Sequence, residues 1–325
     1  SVALITMLDR WFETASAVLG VFLVMGMGGL ARHLRWFSKE VDRSLASFTS
    51  YVLMPCLFFD RIIHDPSLSA HLDAWYPAVL GFLCTVIGVL LAWGAARGLG
   101  RYFALHNDSQ ERTFGLTAGI HNYGYIALPL AEIFYPACVV SLMIHNVGVD
   151  LALWSVGLYT ISGKGLRKSW KRIVFSPPLI AVALAVLIKQ FGWVDWVPDP
   201  IEHATGKLGQ CSVPIGLVLS GAILYDYFGK QPLAQTIGIL SLAIPVRMLI
   251  LPCCILAIAA WGTGSESLKQ VLLIQAAMPA ATFPIVMTRL YEQDVQTAWV
   301  VVVGTSILSL ITIPLWMILG AAWLF

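Results

Sequence analysis

Long apolar runs broken by short polar stretches recur from one end of this 325-residue chain to the other. Windows of about 20 apolar residues match the hydrocarbon thickness of a bilayer. Set against the charged breaks, they predict ten spans, near 14–32, 43–63, 74–97, 112–134, 137–161, 174–192, 205–226, 234–260, 268–289 and 296–324. The polar stretches between them are short, so the spans must pack as antiparallel neighbours or near-neighbours. The expected fold class is an all-α polytopic membrane protein.

Two spans do not read as plain helices. The fourth contains "GIHNYGYIALPLAEIF", residues 119–134, with two glycines, a proline, a His-Asn pair and two tyrosines where leucines would serve. The ninth contains "QAAMPAATFP", residues 275–284, in which Pro279 and Pro284 bracket small residues. Proline removes a backbone donor and clashes with the preceding turn, freeing groups that hydrocarbon cannot satisfy. Such breaks survive only where protein or a wet cavity supplies partners. A milder parallel links Pro55 in the second span to Pro214 in the seventh.

These parallels divide the chain into a first repeat at 1–162, a basic cytoplasmic linker at 163–173 and a second repeat at 174–325. Five spans per half is an odd number, so the second half must be inverted relative to the first. Interrupted segments at matching positions of two halves mark a transporter binding site at the repeat interface. Two broken helices that cross would aim half-helix N-termini at one point, where anions are attracted.

Charge then sets class and orientation. Only 12% of residues are charged against 58% hydrophobic, and the mean hydropathy is +0.79. So little charge cannot cover a soluble globule of this size, which excludes a soluble enzyme. Fourteen of the 20 Lys and Arg fall on one side of the expected topology. They include Arg32, Arg35, Lys39 and Arg43 after the first span, and Lys164, Arg167, Lys168, Lys171 and Arg172 after the fifth. The positive-inside rule makes that side cytoplasmic and puts both termini outside. The net charge of +2 points to no acidic partner; the bilayer is the expected one, and no nucleic acid is expected. The opening "SVALITMLDRWFE" has no pattern of a removable signal peptide.

Ionisable groups within spans are costly and read as functional by default. Asp150 falls in the fifth span and Arg247 in the eighth. They could form an ion pair that locks two helices, Asp150 could be a proton or cation site with Arg247 offsetting or attracting an anion, or either could snorkel to an interface. His145 and Asn146 adjoin Asp150 in sequence, and His121 lies on the neighbouring fourth span, so a pH-sensitive cluster is a further reading. Glu132, Tyr135 and Asp60 fall near the outer surface, lining an entrance or a solvated interface. Trp154, Trp299, Trp316 and Trp323 suit interfacial or lipid-facing places. The six cysteines read as small buried hydrophobes. No Walker-type loop, Rossmann fingerprint or H-E-x-x-H is present, so no cofactor and no metal are expected.

The chain resembles the auxin efflux carrier family, bacterial type, within the bile acid:sodium symporter-like superfamily. The likeness rests on "HNYGYIALPL", "SPPLIAVALAVLI", "CSVPIGLVLSGAIL", "AAMPAATFPIVMTRLY" and "TSILSLITIPL". It implies an inverted five-plus-five fold with the fourth and ninth helices unwound and crossing at mid-membrane. It also implies a scaffold from spans one, two, six and seven, an elevator-like transport domain from the rest, frequently a homodimer, and a bacterial inner-membrane location. Asn122 matches the position that meets the substrate carboxylate in plant carriers; His121 stands where those carriers have proline, and their long central loop is missing.

The expected function is secondary transport of small organic anions, carboxylates, by alternating access. Asn122, His121, Tyr123, Pro129, Gln275, Pro279, Thr282 and Pro284 form the expected binding site. Asp150, His145, Asn146 and Arg247 are the candidates for ion or proton coupling, with H+ and Na+ both open. The alternatives are a ligand-binding membrane sensor without net transport and a sodium-coupled organic-anion symporter.

Overall fold

The computed structural model describes residues 2–64, 75–162, 177–226 and 233–325. The basic linker expected at 163–173 and Lys230 lie outside the described residues. Within them the chain is helical almost throughout, with one isolated antiparallel bridge and no strand.

Six helical stretches are long and apolar enough to cross a membrane: Glu40–His64, Tyr76–Tyr102, Pro136–Ser162, Asp199–Asp226, Leu233–Gly262 and Val295–Leu324. Val18–His33 and Pro177–Gln190 are shorter apolar helices. The two segments with unusual sequence are interrupted. The first comprises Asp108–Gly119 and Ala127–Phe134, the second Glu266–Ala277 and Phe283–Leu290. The protein is an all-α polytopic membrane protein.

The prolines explain most of the other irregularities. Pro55 follows a π-helical turn at Thr49–Leu53, and Pro252 follows one at Val246–Ile250. A π turn shifts the bonding by one residue, which relieves the clash that proline makes with the carbonyl four residues back. For Pro252 that carbonyl belongs to Met248, and Trp316 Nε1 donates to it at 2.8 Å. Trp299 Nε1 similarly donates at 3.2 Å to Leu224 O, a carbonyl of Ser212–Asp226.

Trp316 and Trp299 therefore face protein carbonyls, not lipid headgroups as their composition suggested. Trp154 packs edge-on against Phe283, and only Trp323 of the four is exposed. The cysteines also divide: Cys84 and Cys138 are buried, while Cys211 and Cys253 are exposed.

Helix contact in a bilayer depends on close approach by small residues, because lipid is as apolar as leucine. A Cβ on Gly148 would fall 1.8 Å from the Ala78 carbonyl oxygen. Only glycine lets Val139–Ala152 lie on Tyr76–Leu99 at that separation. This contact sets the helix that carries His145, Asn146 and Asp150.

Candidate functional site

Both interruptions have the same grammar. Helix Asp108–Gly119 ends where Ile120 turns extended, and helix Glu266–Ala277 ends where Met278 does. The second half of each then restarts with a proline in its first turn: Pro129 in Ala127–Phe134 and Pro284 in Phe283–Leu290. A missing N–H costs nothing there, since the first donors of a helix have no intrahelical partner. Pro129 and Pro284 thus start half-helices, and Pro279 alone lies within a break.

The two breaks hydrogen-bond to each other. Asn122 N donates to Pro279 O at 2.8 Å and Ala281 N donates to Ile120 O at 2.9 Å, around the antiparallel bridge between His121 and Ala280. Backbone groups that helix bonding releases are satisfied by the opposite break, as a water-poor site requires. Consecutive residues of an extended segment point to opposite sides, so His121 and Asn122 serve different faces.

Side chains from neighbouring helices complete the support. Asn146 Nδ2 donates to Tyr123 O at 2.9 Å, and Gln275 Nε2 donates to Asn146 Oδ1 at 3.0 Å. The Tyr123 hydroxyl donates to Asp150 Oδ1 at 2.6 Å. On the second break, Arg247 Nε donates to Met278 O at 3.1 Å and Ala280 N donates to Thr305 Oγ1 at 3.2 Å. Thr282 Oγ1 lies 3.4 Å from Ser220 Oγ on Ser212–Asp226.

Asn122, Gln275, Thr282, His121, His145, Asn146 and Arg247 are all buried. Among them, His121 Nε2, both ring nitrogens of His145, Gln275 Oε1 and both Nη groups of Arg247 make no protein hydrogen bond. Burial without a partner is costly for polar groups, so this concentration of unspent donors and acceptors marks polar chemistry beyond what packing needs.

Asp150 and Arg247 form no ion pair among the described residues. Asp150 belongs to the Tyr123 side of the network and Arg247 to the second break. Glu132 pairs with Arg61 at 2.5 Å, linking the short half-helix to Met54–His64. Asp60 lies 3.5 Å from His64. Tyr125 in the first break packs against Gly216, where a Cβ would come within 1.9 Å of its ring.

Thr305, Ser220 and Tyr125 carry contacts that the sequence did not single out. Thr305 sits in "TSILSL", a cluster of small hydroxyls inside an otherwise apolar run. That cluster was its only visible signal.

Two interrupted helices bound break to break, inside a polytopic bundle and ringed by buried polar side chains, define a membrane transport architecture rather than a catalytic centre. The family model described as "Membrane transport protein" matches residues 14–167 and 163–317. The chain belongs to that family, the auxin efflux carrier family, and is a transporter, not an enzyme.

It is similar to an uncharacterized transporter of Methanothermobacter thermautotrophicus, 27% identical over 93% of this chain and 97% of the relative. Another uncharacterized transporter, from Methanocaldococcus jannaschii, is 25% identical over 92% and 96%. A Rhizobium meliloti protein provisionally named a malonate transporter is 22% identical over 93% and 94%.

Proposed function

We propose that this chain is a secondary transporter of small organic anions, carboxylates, which it holds where its two broken helices cross. The carrying observation is that Asn122 has its backbone N–H spent on Pro279 O, while its buried side-chain amide makes no hydrogen bond among the described residues. An uncharged amide beside two half-helix N-termini, at 127 and 283, suits a carboxylate: the amide donates and the helix ends supply positive potential. Gln275 and Thr282 line the same crossing. The name of the Rhizobium relative makes malonate the first substrate to try.

In this reading the chain has ten spans in two inverted repeats. Spans one, two, six and seven form the scaffold, the remainder move as an elevator, and the protein works as a homodimer. It sits in a plasma membrane in this reading, and the basic asymmetry supports both termini outside. Single cysteines introduced at 163–173 should then react only from the cytoplasmic side; labelling by an impermeant reagent on intact cells would reverse the topology.

The test of substrate class is a thermal-shift series on purified protein with malonate, other dicarboxylates and monocarboxylates. Ligand that binds only the folded state raises its apparent stability, by about 2.7 kcal/mol at a hundred times Kd. A saturable upward shift with carboxylates, absent with matched neutral amides, is expected. No shift with any carboxylate at tens of millimolar would remove this substrate class.

A further inference from the structure

The segment that follows the first break is fastened at both ends. At its start the Tyr125 ring packs on Gly216 of Ser212–Asp226. Near its end Glu132, in the last turn of Ala127–Phe134, accepts from Arg61 Nη2 at 2.5 Å, on Met54–His64. The two receiving helices are themselves tied together. Asp199–Gln210 runs on towards Ser212–Asp226 within one apolar stretch, and a Cβ on its Gly209 would fall 2.7 Å from Leu57 Cα of Met54–His64. Lys189 Nζ, on Pro177–Gln190, donates to Ile62 O at 3.2 Å and to Ile63 O at 3.3 Å.

On its other side Ala127–Phe134 packs against Val139–Ala152 and Glu266–Ala277, the helices that carry Asn146 and Gln275. Arg61–Glu132 therefore crosses from one set of helices to the other. The two side chains are 43% and 41% exposed. Exposed ion pairs shift an equilibrium by a factor of about five at most, while breaking a buried pair is far more costly. A contact of the weaker kind can close a joint without trapping it.

We propose that Arg61–Glu132 is a solvent-exposed latch, which holds Ala127–Phe134 and the first break against Met54–His64 and Ser212–Asp226 and parts in each transport cycle. This rests on the transport reading above, in which spans two and seven stand still and span four moves. It adds the contact that must open. With the latch closed, Tyr125 covers Gly216 and Thr282 Oγ1 lies 3.4 Å from Ser220 Oγ, so travel of the crossing along Ser212–Asp226 needs the half-helix to let go. Arg61 and Glu132 act as positioning residues, one on each side of the joint.

The test has one arm without substrate and one with it. In the first, hydrogen exchange over 120–134 is compared among the purified parent, Arg61→Gln, Glu132→Gln and the double variant. Each single change should speed exchange there by up to about fivefold, with melting close to the parent. The double variant should match either single one, because both remove the same contact. Salt screens exposed charges, so exchange in the parent should rise with ionic strength and that of the neutral variants should not. Single variants that exchange like the parent, or effects that add in the double variant, would overturn the latch. A large drop in melting would do so too, since the pair would then be a structural tie.

In the second arm, the six native cysteines are replaced and cysteines are placed at 61 and 132. Bridging them with a reducible bifunctional thiol reagent should stop malonate uptake into proteoliposomes, and reductant should restore it. The same reagent on either cysteine alone should leave uptake running. Uptake that continues at the unbridged rate, with the bridge verified by mass spectrometry, would contradict the proposal. Failure of the carboxylate reading looks different, with no malonate uptake even after reduction while the exchange pattern persists.

Discussion

The two breaks meet as partners but are built in opposite ways. The first, 120–126, brings its own chemistry: His121, Asn122, Tyr123 and Tyr125 in seven residues. The second, 278–282, is Met-Pro-Ala-Ala-Thr and offers mostly bare backbone. Its polar support comes from other helices, through Arg247 on Met278 O and Thr305 on Ala280 N. The first break presents side chains, while the second presents backbone and is held from outside. A substitution in the first should therefore change what is recognised, whereas one among the holders of the second should change whether the crossing is formed at all.

The largest expected loss of stability is at Thr305. Thr305→Val keeps the shape but takes the acceptor from the buried Ala280 N–H. An orphaned buried donor costs about 1–3 kcal/mol. Thermal melting should drop accordingly, and uptake of every transported anion should fall together. A change in selectivity without a drop in melting would place Thr305 with the recognition residues and undo the contrast.

Gly216→Ala should cost less. Its new Cβ would meet the Tyr125 ring, and overpacking costs about 1–3 kcal/mol. The ring is the far end of a side chain and can swing, so about 1 kcal/mol is expected. The stronger consequence is local, because displacing Tyr125 disturbs the first break only. Binding assays across a substrate series should show unequal losses; uniform losses would count against a recognition role for that break.

Asp150→Asn should change stability least, since the amide oxygen can still accept from the Tyr123 hydroxyl. If Asp150 carries the transported proton, the pH profile of uptake flattens. An unaltered profile in a stable variant would take Asp150 out of coupling.

Much of this organisation was legible in the sequence because proline and glycine report backbone geometry directly. The paired "HNYGYIALP" and "AAMPAATFP" pointed to the segments whose breaks hydrogen-bond. Two of the expected spans, those at 74–97 and 137–161, correspond to Tyr76–Leu99 and Val139–Ala152, which fall within or close to their windows.

What stayed hidden depended on contacts between distant helices. The π turn at Leu153–Gly157 changes one bond register with no proline to mark it. Trp316 turned inward because Pro252 strands the Met248 carbonyl on another helix, a pairing that no local pattern encodes. Asp150 and Arg247 were conspicuous as charges, yet the partners of each lie on segments remote in sequence.

The most direct test of the contrast is the dissociation constant of malonate, or of the best carboxylate from the thermal series, for Asn122→Ala and Thr305→Val side by side with the parent. Losing a hydrogen bond to a charged group is worth about 1.5–3 kcal/mol, so Asn122→Ala should bind roughly ten- to a hundredfold more weakly while melting near the parent. Thr305→Val should melt lower, with the affinity of its folded fraction changed far less. Asn122→Ala affinity within about twofold of the parent, a difference below roughly 0.5 kcal/mol, would contradict the account, because the carboxylate would then be held somewhere other than the first break.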